Sequence, residues 1–157
     1  MTAALVCGEL RRDGEQVAQR GLRLAGGLAR MGIEDGDVIA VMLRNGPAFI
    51  DAILSCQTAG CFYCPINWHF KGDEVAYLLN DSAAKVLIVE ADLLATLDGA
   101  IPAGVQVLVV GAGAEDARDY EGWLAQQAPY DGPERTPRAH MAYTSGTTGR
   151  PKGVVRL

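Results

Sequence analysis

The sequence predicts an α/β fold with a largely parallel sheet flanked by helices. Three observations carry that expectation. Apolar runs such as Val38-Ile39-Ala40-Val41-Met42-Leu43 and Val105-Gln106-Val107-Leu108-Val109-Val110 are near-continuous rather than alternating, as strands covered on both faces must be. Stretches with helical periodicity fall between such runs. Turn-forming residues separate the two kinds at short intervals, so strand and helix alternate along the chain.

The first helix is expected over 15–31, because Val17, Gly21, Leu24, Leu28 and Met31 recur at steps of three and four while Arg20, Arg23 and Arg30 fall elsewhere around the turn. Gly32 is placed to end it. Gly36-Asp37 then turns the chain into the first central strand, 38–43. Asn45-Gly46-Pro47 is a helix start, with Asn45 or Gly46 as cap and Pro47 in the first turn. That second helix should bury Phe49, Ile53, Cys56 and the stem of Gln57, and end at Gly60. A strand is expected over 61–66, then a helix over 73–80 with Val75, Leu78 and Leu79 inward. Asp81-Ser82 turns the chain into a strand at 85–89, a short helix around 92–98 follows, and another strand fills 105–110. Gly111-Ala112-Gly113 begins like a dinucleotide fingerprint, but Asp116 holds the third glycine's place and the segment reads as a loop. Three prolines and a glycine within 129–138 make an irregular connector, after which the apolar segment 139–143 reads as a strand.

The totals narrow the classes. A chain of 157 residues is about one domain long and could bury roughly 70% of the surface its unfolded form exposes. The formal charge of −5 argues against nonspecific nucleic-acid binding, which draws on clustered Lys and Arg. Glu9, Arg11, Arg12 and Asp13 interrupt any apolar start and the later apolar runs are too short to span a bilayer, so no membrane span and a cytoplasmic protein are expected. Cys61 and Cys64 have CxxC spacing, yet Phe62-Tyr63 and Pro65-Ile66 around them read as a buried strand, and no second pair completes a zinc set. His69 reads as a partly exposed turn residue and His140 as structural.

The chemistry lies at the end of the chain, in Tyr143-Thr144-Ser145-Gly146-Thr147-Thr148-Gly149-Arg150-Pro151-Lys152-Gly153-Val154-Val155. Glycines let backbone N–H groups converge on a ligand, hydroxyls add donors that rotate to suit it, and a lysine supplies a mobile positive charge. Phosphate oxygens suit such a cradle. The spacing fails the Walker A pattern, because Arg150 and Pro151 stand between Gly149 and Lys152.

The run resembles the signature loop of the adenylate-forming, AMP-dependent synthetases and ligases. Its aromatic start, Thr-Ser-Gly-Thr-Thr-Gly, variable residue and Pro-Lys-Gly are all filled here. The pattern Leu24 to Asp37, the Asn-Gly-Pro start, and Cys64-Pro65-Ile66-Asn67 followed by Glu74-Val75-Ala76-Tyr77 and Asp81-Ser82 also look like the first part of an acyl-CoA synthetase. Lys71-Gly72 departs from it, where the family places a Thr-Pro helix start, and a weaker cap is expected there.

The resemblance implies the N-terminal subdomain of the large domain of such an enzyme, incomplete on its own. It divides into an α/β part, 1–138, and a strand with phosphate-binding loop, 139–157. It further implies that Thr144, Ser145, Gly146, Thr147, Thr148, Gly149 and Lys152 bind the phosphates of ATP, and that Thr144 helps to hold Mg²⁺. Coenzyme A is the implied co-substrate and a carboxylic acid the substrate, as in fatty acid metabolism. The family's catalytic lysine, hinge, and adenine- and ribose-binding residues follow this loop, so no catalytic residue is expected within 1–157. Residues 153–157 read as a strand cut short, and the partner implied is the remainder of the same enzyme after 157. A homo-oligomer stays open. The alternatives are a non-catalytic nucleotide- or polyphosphate-binding module, and a structural domain that carries the loop as a relic.

Overall fold

A computed structural model describes residues 4–111, 118–144 and 150–155. A hairpin of β1 (Leu5–Cys7) and β2 (Leu10–Arg12) precedes α1 (Gly14–Arg30). That helix begins where Asp13 closes a capping box: Asp13 Oδ1 accepts from the Gln16 backbone N–H at 2.8 Å, and Gln16 Oε1 accepts from the Asp13 N–H at 2.9 Å. It ends at Met31, with Gly32 beyond it at φ +89°.

Next come β3 (Val38–Met42), α2 (Pro47–Ala59), β4 (Phe62–Pro65), α3 (Gly72–Asp81), β5 (Val86–Glu90), α4 (Ala91–Leu94), β6 (Gln106–Val110), β7 (Arg118–Asp119) and α5 (Tyr120–Ala125). Pro47 is the first residue of α2, and Gly60 closes it in the left-handed region at φ +69°. At α3 the cap residue Lys71 makes no side-chain hydrogen bond, as its departure from the Thr-Pro start predicts. The turn after α3 has its tightest point one residue beyond the expected Asp81-Ser82, at Ala83 with φ +54°. The short helix α4 stops at Leu94, earlier than its expected end at 98.

The strands form one parallel sheet in the order β4-β3-β5-β6-β7. Its two faces follow the two-residue period of the strands. Ile39, Val41, Leu43, Val86, Ile88 and Leu108 pack with Leu24 and Leu28 of α1, Cys56 of α2 and Tyr120 and Leu124 of α5. Val38, Ala40, Met42, Leu87 and Val89 pack on the other face with Val75, Leu78 and Leu79 of α3 and with Leu93 of α4. Burial on both sides explains why these strands read as unbroken apolar runs.

The buried face of α2 differs from the expected one. Asp51, Ala52, Ser55, Cys56 and Ala59 point inward, while Gln57 is exposed and Phe49 and Ile53 are half-buried. The reason is Asp51, a charged side chain the apolar pattern could not count as inward. Arg20 of α1 clamps both of its carboxylate oxygens, at 3.1 Å and 2.8 Å to Oδ2 and 3.3 Å to Oδ1. Burial works against the Arg20 charge, but hydrogen bonds to Glu121 and Asp51 outweigh it and raise its pKa.

Cys56, Cys61 and Cys64 are buried free thiols, and burial pushes Cys61 up to about 11 and Cys64 up to about 12. Such thiols are poor nucleophiles and poor metal ligands. Among the described residues no cluster of three or more His, Cys, Asp or Glu could hold a metal ion.

Candidate functional site

The motif enters a second, separate hairpin. β8 (Met141–Thr144) and β9 (Lys152–Val155) pair antiparallel, with Met141 opposite Val155, Ala142 opposite Val154, Tyr143 opposite Gly153 and Thr144 opposite Lys152. The segment read as a strand cut short is therefore a paired strand that begins at Lys152, and the structure corrects its expected start at 153. Pairing with β8 satisfies backbone groups that the sequence left without partners. β8 lies alongside β4, and Met141 and Tyr143 pack against the α3 face of the sheet.

The two predicted phosphate-site residues at the loop end of the hairpin, Thr144 and Lys152, are brought together as register partners, and both are exposed. The other five, Ser145, Gly146, Thr147, Thr148 and Gly149, lie outside the described residues. Gly153 has a packing reason to be glycine: a Cβ there would stand 3.1 Å from Cζ of the Tyr143 ring, which lies across the neighbouring strand. Close approach of an aromatic ring, rather than an unusual backbone angle, crowds a side chain at that position, so the Tyr143 ring would have to give by a few tenths of an ångström.

The hairpin is tied to α3 at this same end. The Tyr77 hydroxyl donates to the Pro151 carbonyl at 2.9 Å, and the Tyr143 hydroxyl donates to Asp81 Oδ2 at 2.8 Å. Burial, then the Asp81 carboxylate, raises the Tyr143 pKa, so the phenol stays protonated and keeps donating. The Arg150 guanidinium lies 5.1 Å from the centroid of the Tyr77 ring, within cation–π range. A groove beside these residues is lined by Phe70, Glu74, Tyr77, Arg150 and Pro151. The sequence places Tyr77 on a helix and Asp81 in the turn after it, and gives neither a role at the phosphate site; in the structure Asp81 is the last residue of α3. The available signal was their spacing of four, which puts both on one side of α3.

The other place a ligand would be sought is the carboxyl end of the sheet between β3 and β5, where the winding reverses direction. Arg44 stands there, but its own chain occupies it. Its guanidinium pairs with Glu90 and with Asp92 at 2.9 Å, and sits 4.7 Å from the Trp68 ring centroid. The Asp92 hydrogen bond leads in raising the Arg44 pKa, and the same bond lowers that of Asp92. An arginine met by two carboxylates offers an incoming anion little net charge. His69 stacks on Trp68 at 3.6 Å and is exposed, in accord with a turn role. His140 precedes β8, in contact with the Tyr63 ring at 5.7 Å between centroids. The first glycine of the Gly-x-Gly decoy, Gly111, follows β6; residues 112–117 lie outside the described residues. No helix among the described residues is long and apolar enough to cross a membrane.

Comparison with known proteins places the hairpin in context. A family model described as AMP-binding enzyme matches residues 2–156. Tyrocidine synthase 3 of Brevibacillus parabrevis is 33% identical over 98% of this chain and 2% of its own length. A feruloyl-CoA synthase of an Amycolatopsis species is 36% identical over 89% of this chain and 27% of its own length. Among solved structures, the anthranilate CoA ligase AuaEII in complex with anthranoyl-AMP superposes with a TM-score of 0.89 at 24% identity, over 98% of this chain and 31% of that one. The chain thus spans less than a third of the length of each of these relatives.

Proposed function

The chain belongs to the AMP-binding enzyme family, and we propose that it is the N-terminal part of an ATP-dependent carboxylate-activating ligase, an acyl-CoA synthetase. The observation that carries this reading is the pairing of Thr144 with Lys152 at the loop end of the β8–β9 hairpin, within an intact signature motif. That pairing supports a role in holding phosphate: an exposed ammonium and an exposed hydroxyl flank the glycine- and hydroxyl-rich residues 145–149.

In the reaction proposed, a carboxylate oxygen attacks the α-phosphorus of ATP, the bond to the bridging oxygen breaks, and pyrophosphate departs. The thiol of coenzyme A then displaces AMP from the acyl-adenylate to give a thioester. Negative charge gathers on the departing β,γ-phosphates. Lys152 would meet that charge, and Ser145, Gly146, Thr147, Thr148 and Gly149 would supply donors around it. Thr144 offers one hydroxyl to Mg²⁺, which fits an ion held mainly by phosphate oxygens and water. Its carboxylate ligands, the catalytic lysine and the acid-binding pocket are proposed to lie in the remainder of the enzyme beyond residue 157. On this reading, residues 1–138 form a supporting subdomain and 139–157 the first part of the nucleotide site.

The test is ATP–pyrophosphate exchange by the complete polypeptide that carries this chain, driven by a panel of fatty, aryl and short-chain carboxylic acids. Exchange that depends on one class of acid is the expected result, followed by thioester formation when coenzyme A is added. Nucleotide binding without exchange for any acid would instead establish a non-catalytic binding module.

A further inference from the structure

We propose that Tyr77 and Asp81 of α3 are positioning residues for the phosphate site, setting where Lys152 and Thr144 stand by tying down the residue before each. The inference rests on the reading of this hairpin as a phosphate site. The Pro151 carbonyl that accepts from the Tyr77 hydroxyl, at 2.9 Å, belongs to the same peptide unit as the Lys152 nitrogen. Fixing that carbonyl fixes the plane from which the Lys152 side chain departs. On the other strand, Tyr143 donates to Asp81 at 2.8 Å, and Thr144 follows directly. Thr144 and Lys152 are themselves register partners, so the two anchors act on the two sides of one pair.

The platform is rigid. α3 buries Val75, Leu78 and Leu79 at 0%, 2% and 1% exposure, while Tyr77 and Asp81 project from the side that meets the hairpin. Each anchor also has a feature that resists loss. Arg150 covers the Tyr77 ring, and Gly153 leaves room for the Tyr143 ring to reach across to Asp81. Both tyrosines donate to oxygen, so the geometry needs a hydroxyl at 77 and an acceptor at 81, not a charge.

That requirement gives the test. Binding of inorganic tripolyphosphate to the complete polypeptide is measured by calorimetry for wild type, Tyr77→Phe, Asp81→Ala and Asp81→Asn, with thermal melting of each. Tyr77→Phe is expected to weaken binding roughly three- to tenfold, the change that loss of one neutral hydrogen bond produces, and Asp81→Ala by roughly tenfold, since it removes a carboxylate acceptor. Asp81→Asn keeps an acceptor and should stay within about twofold of wild type. In the exchange assay the same two damaging variants should raise the KM for MgATP and leave the KM for the carboxylate unmoved. Wild-type binding that survives Tyr77→Phe and Asp81→Ala unchanged would overturn the proposal, as would equal loss of both KM values. Tripolyphosphate binding without exchange would sink the ligase reading alone and leave the positioning role to be decided by the variants; no binding by wild type would sink both.

Discussion

The Tyr120 hydroxyl donates to Oδ2 of Asp51 at 2.7 Å, joining the first turn of α5 to the interior face of α2. Asp51 is 1% exposed and Tyr120 fully buried, and Arg20 reaches the same carboxylate from α1. Three helices on one face of the sheet therefore meet at one buried acidic side chain. Burial and the neighbouring carboxylate raise the Tyr120 pKa well above its usual value, which keeps the phenol a donor.

Removing the acceptor should cost more than removing one donor. Asp51→Ala leaves Arg20 with Glu121 alone, and a loss of about 3 kcal/mol is expected. Tyr120→Phe removes one hydrogen bond to a charged group and should cost about 1.5–3 kcal/mol. Urea denaturation of both variants checks the order; Asp51→Ala as stable as wild type would show that the buried charge contributes nothing.

Gly26 and Gly27 give a prediction whose sign the sequence alone would get wrong. By helix propensity, Gly→Ala inside α1 should stabilise by about 1 kcal/mol. In the structure a Cβ at Gly26 would run into the Ala128 carbonyl, and one at Gly27 into the Trp123 ring. Each substitution should instead destabilise, by about 1–3 kcal/mol. Gly14, where a Cβ would meet nothing within 4 Å, is the control expected to tolerate alanine. Thermal melting of the three variants decides it.

Lys152→Ala should slow adenylation by about 1.5–3 kcal/mol of transition-state stabilisation, the scale of a hydrogen bond to a charged group. Its melting temperature should be unchanged, since Lys152 is exposed and its backbone pairing with Thr144 does not need the side chain. Exchange kinetics equal to wild type would remove Lys152 from the site.

The thiols predict both reactivity and pH dependence. Cys7 is exposed and should react quickly with a disulfide reagent at about pH 8, while Cys56, Cys61 and Cys64 wait for unfolding. Burial raises the folded-state values of Cys61 and Cys64 to about 11 and about 12, above the ordinary 9.0. Their contribution to stability is therefore complete below the ordinary thiol value and is lost as pH rises through the range up to about 12. Denaturation midpoints across that alkaline range should fall in wild type, and fall less in Cys61→Ala paired with Cys64→Ala.

By itself the sequence determined the α/β class, the order of most elements and the identity of the motif. Each of these is written locally. Unbroken apolar strands report burial on two faces, Pro47 and Gly60 mark the ends of α2, and the family's signature pattern is carried by residues adjacent in the chain. The β1–β2 hairpin, β7 and α5 went unread because they are too short to show a period. Tertiary structure alone decided the rest. The irregular connector is pinned by Arg135 to the Ala59 carbonyl at 2.8 Å and by Arg138 to the Gly60 carbonyl at 2.9 Å, so arginines distant in sequence cap α2. The inward turn of Asp51 depends on Arg20 and Tyr120, and the seating of Lys152 beside Thr144 depends on Tyr77 and Asp81. A buried charge and a bonded loop base are set by partners 31 to 74 residues away, and no local pattern records such a partner.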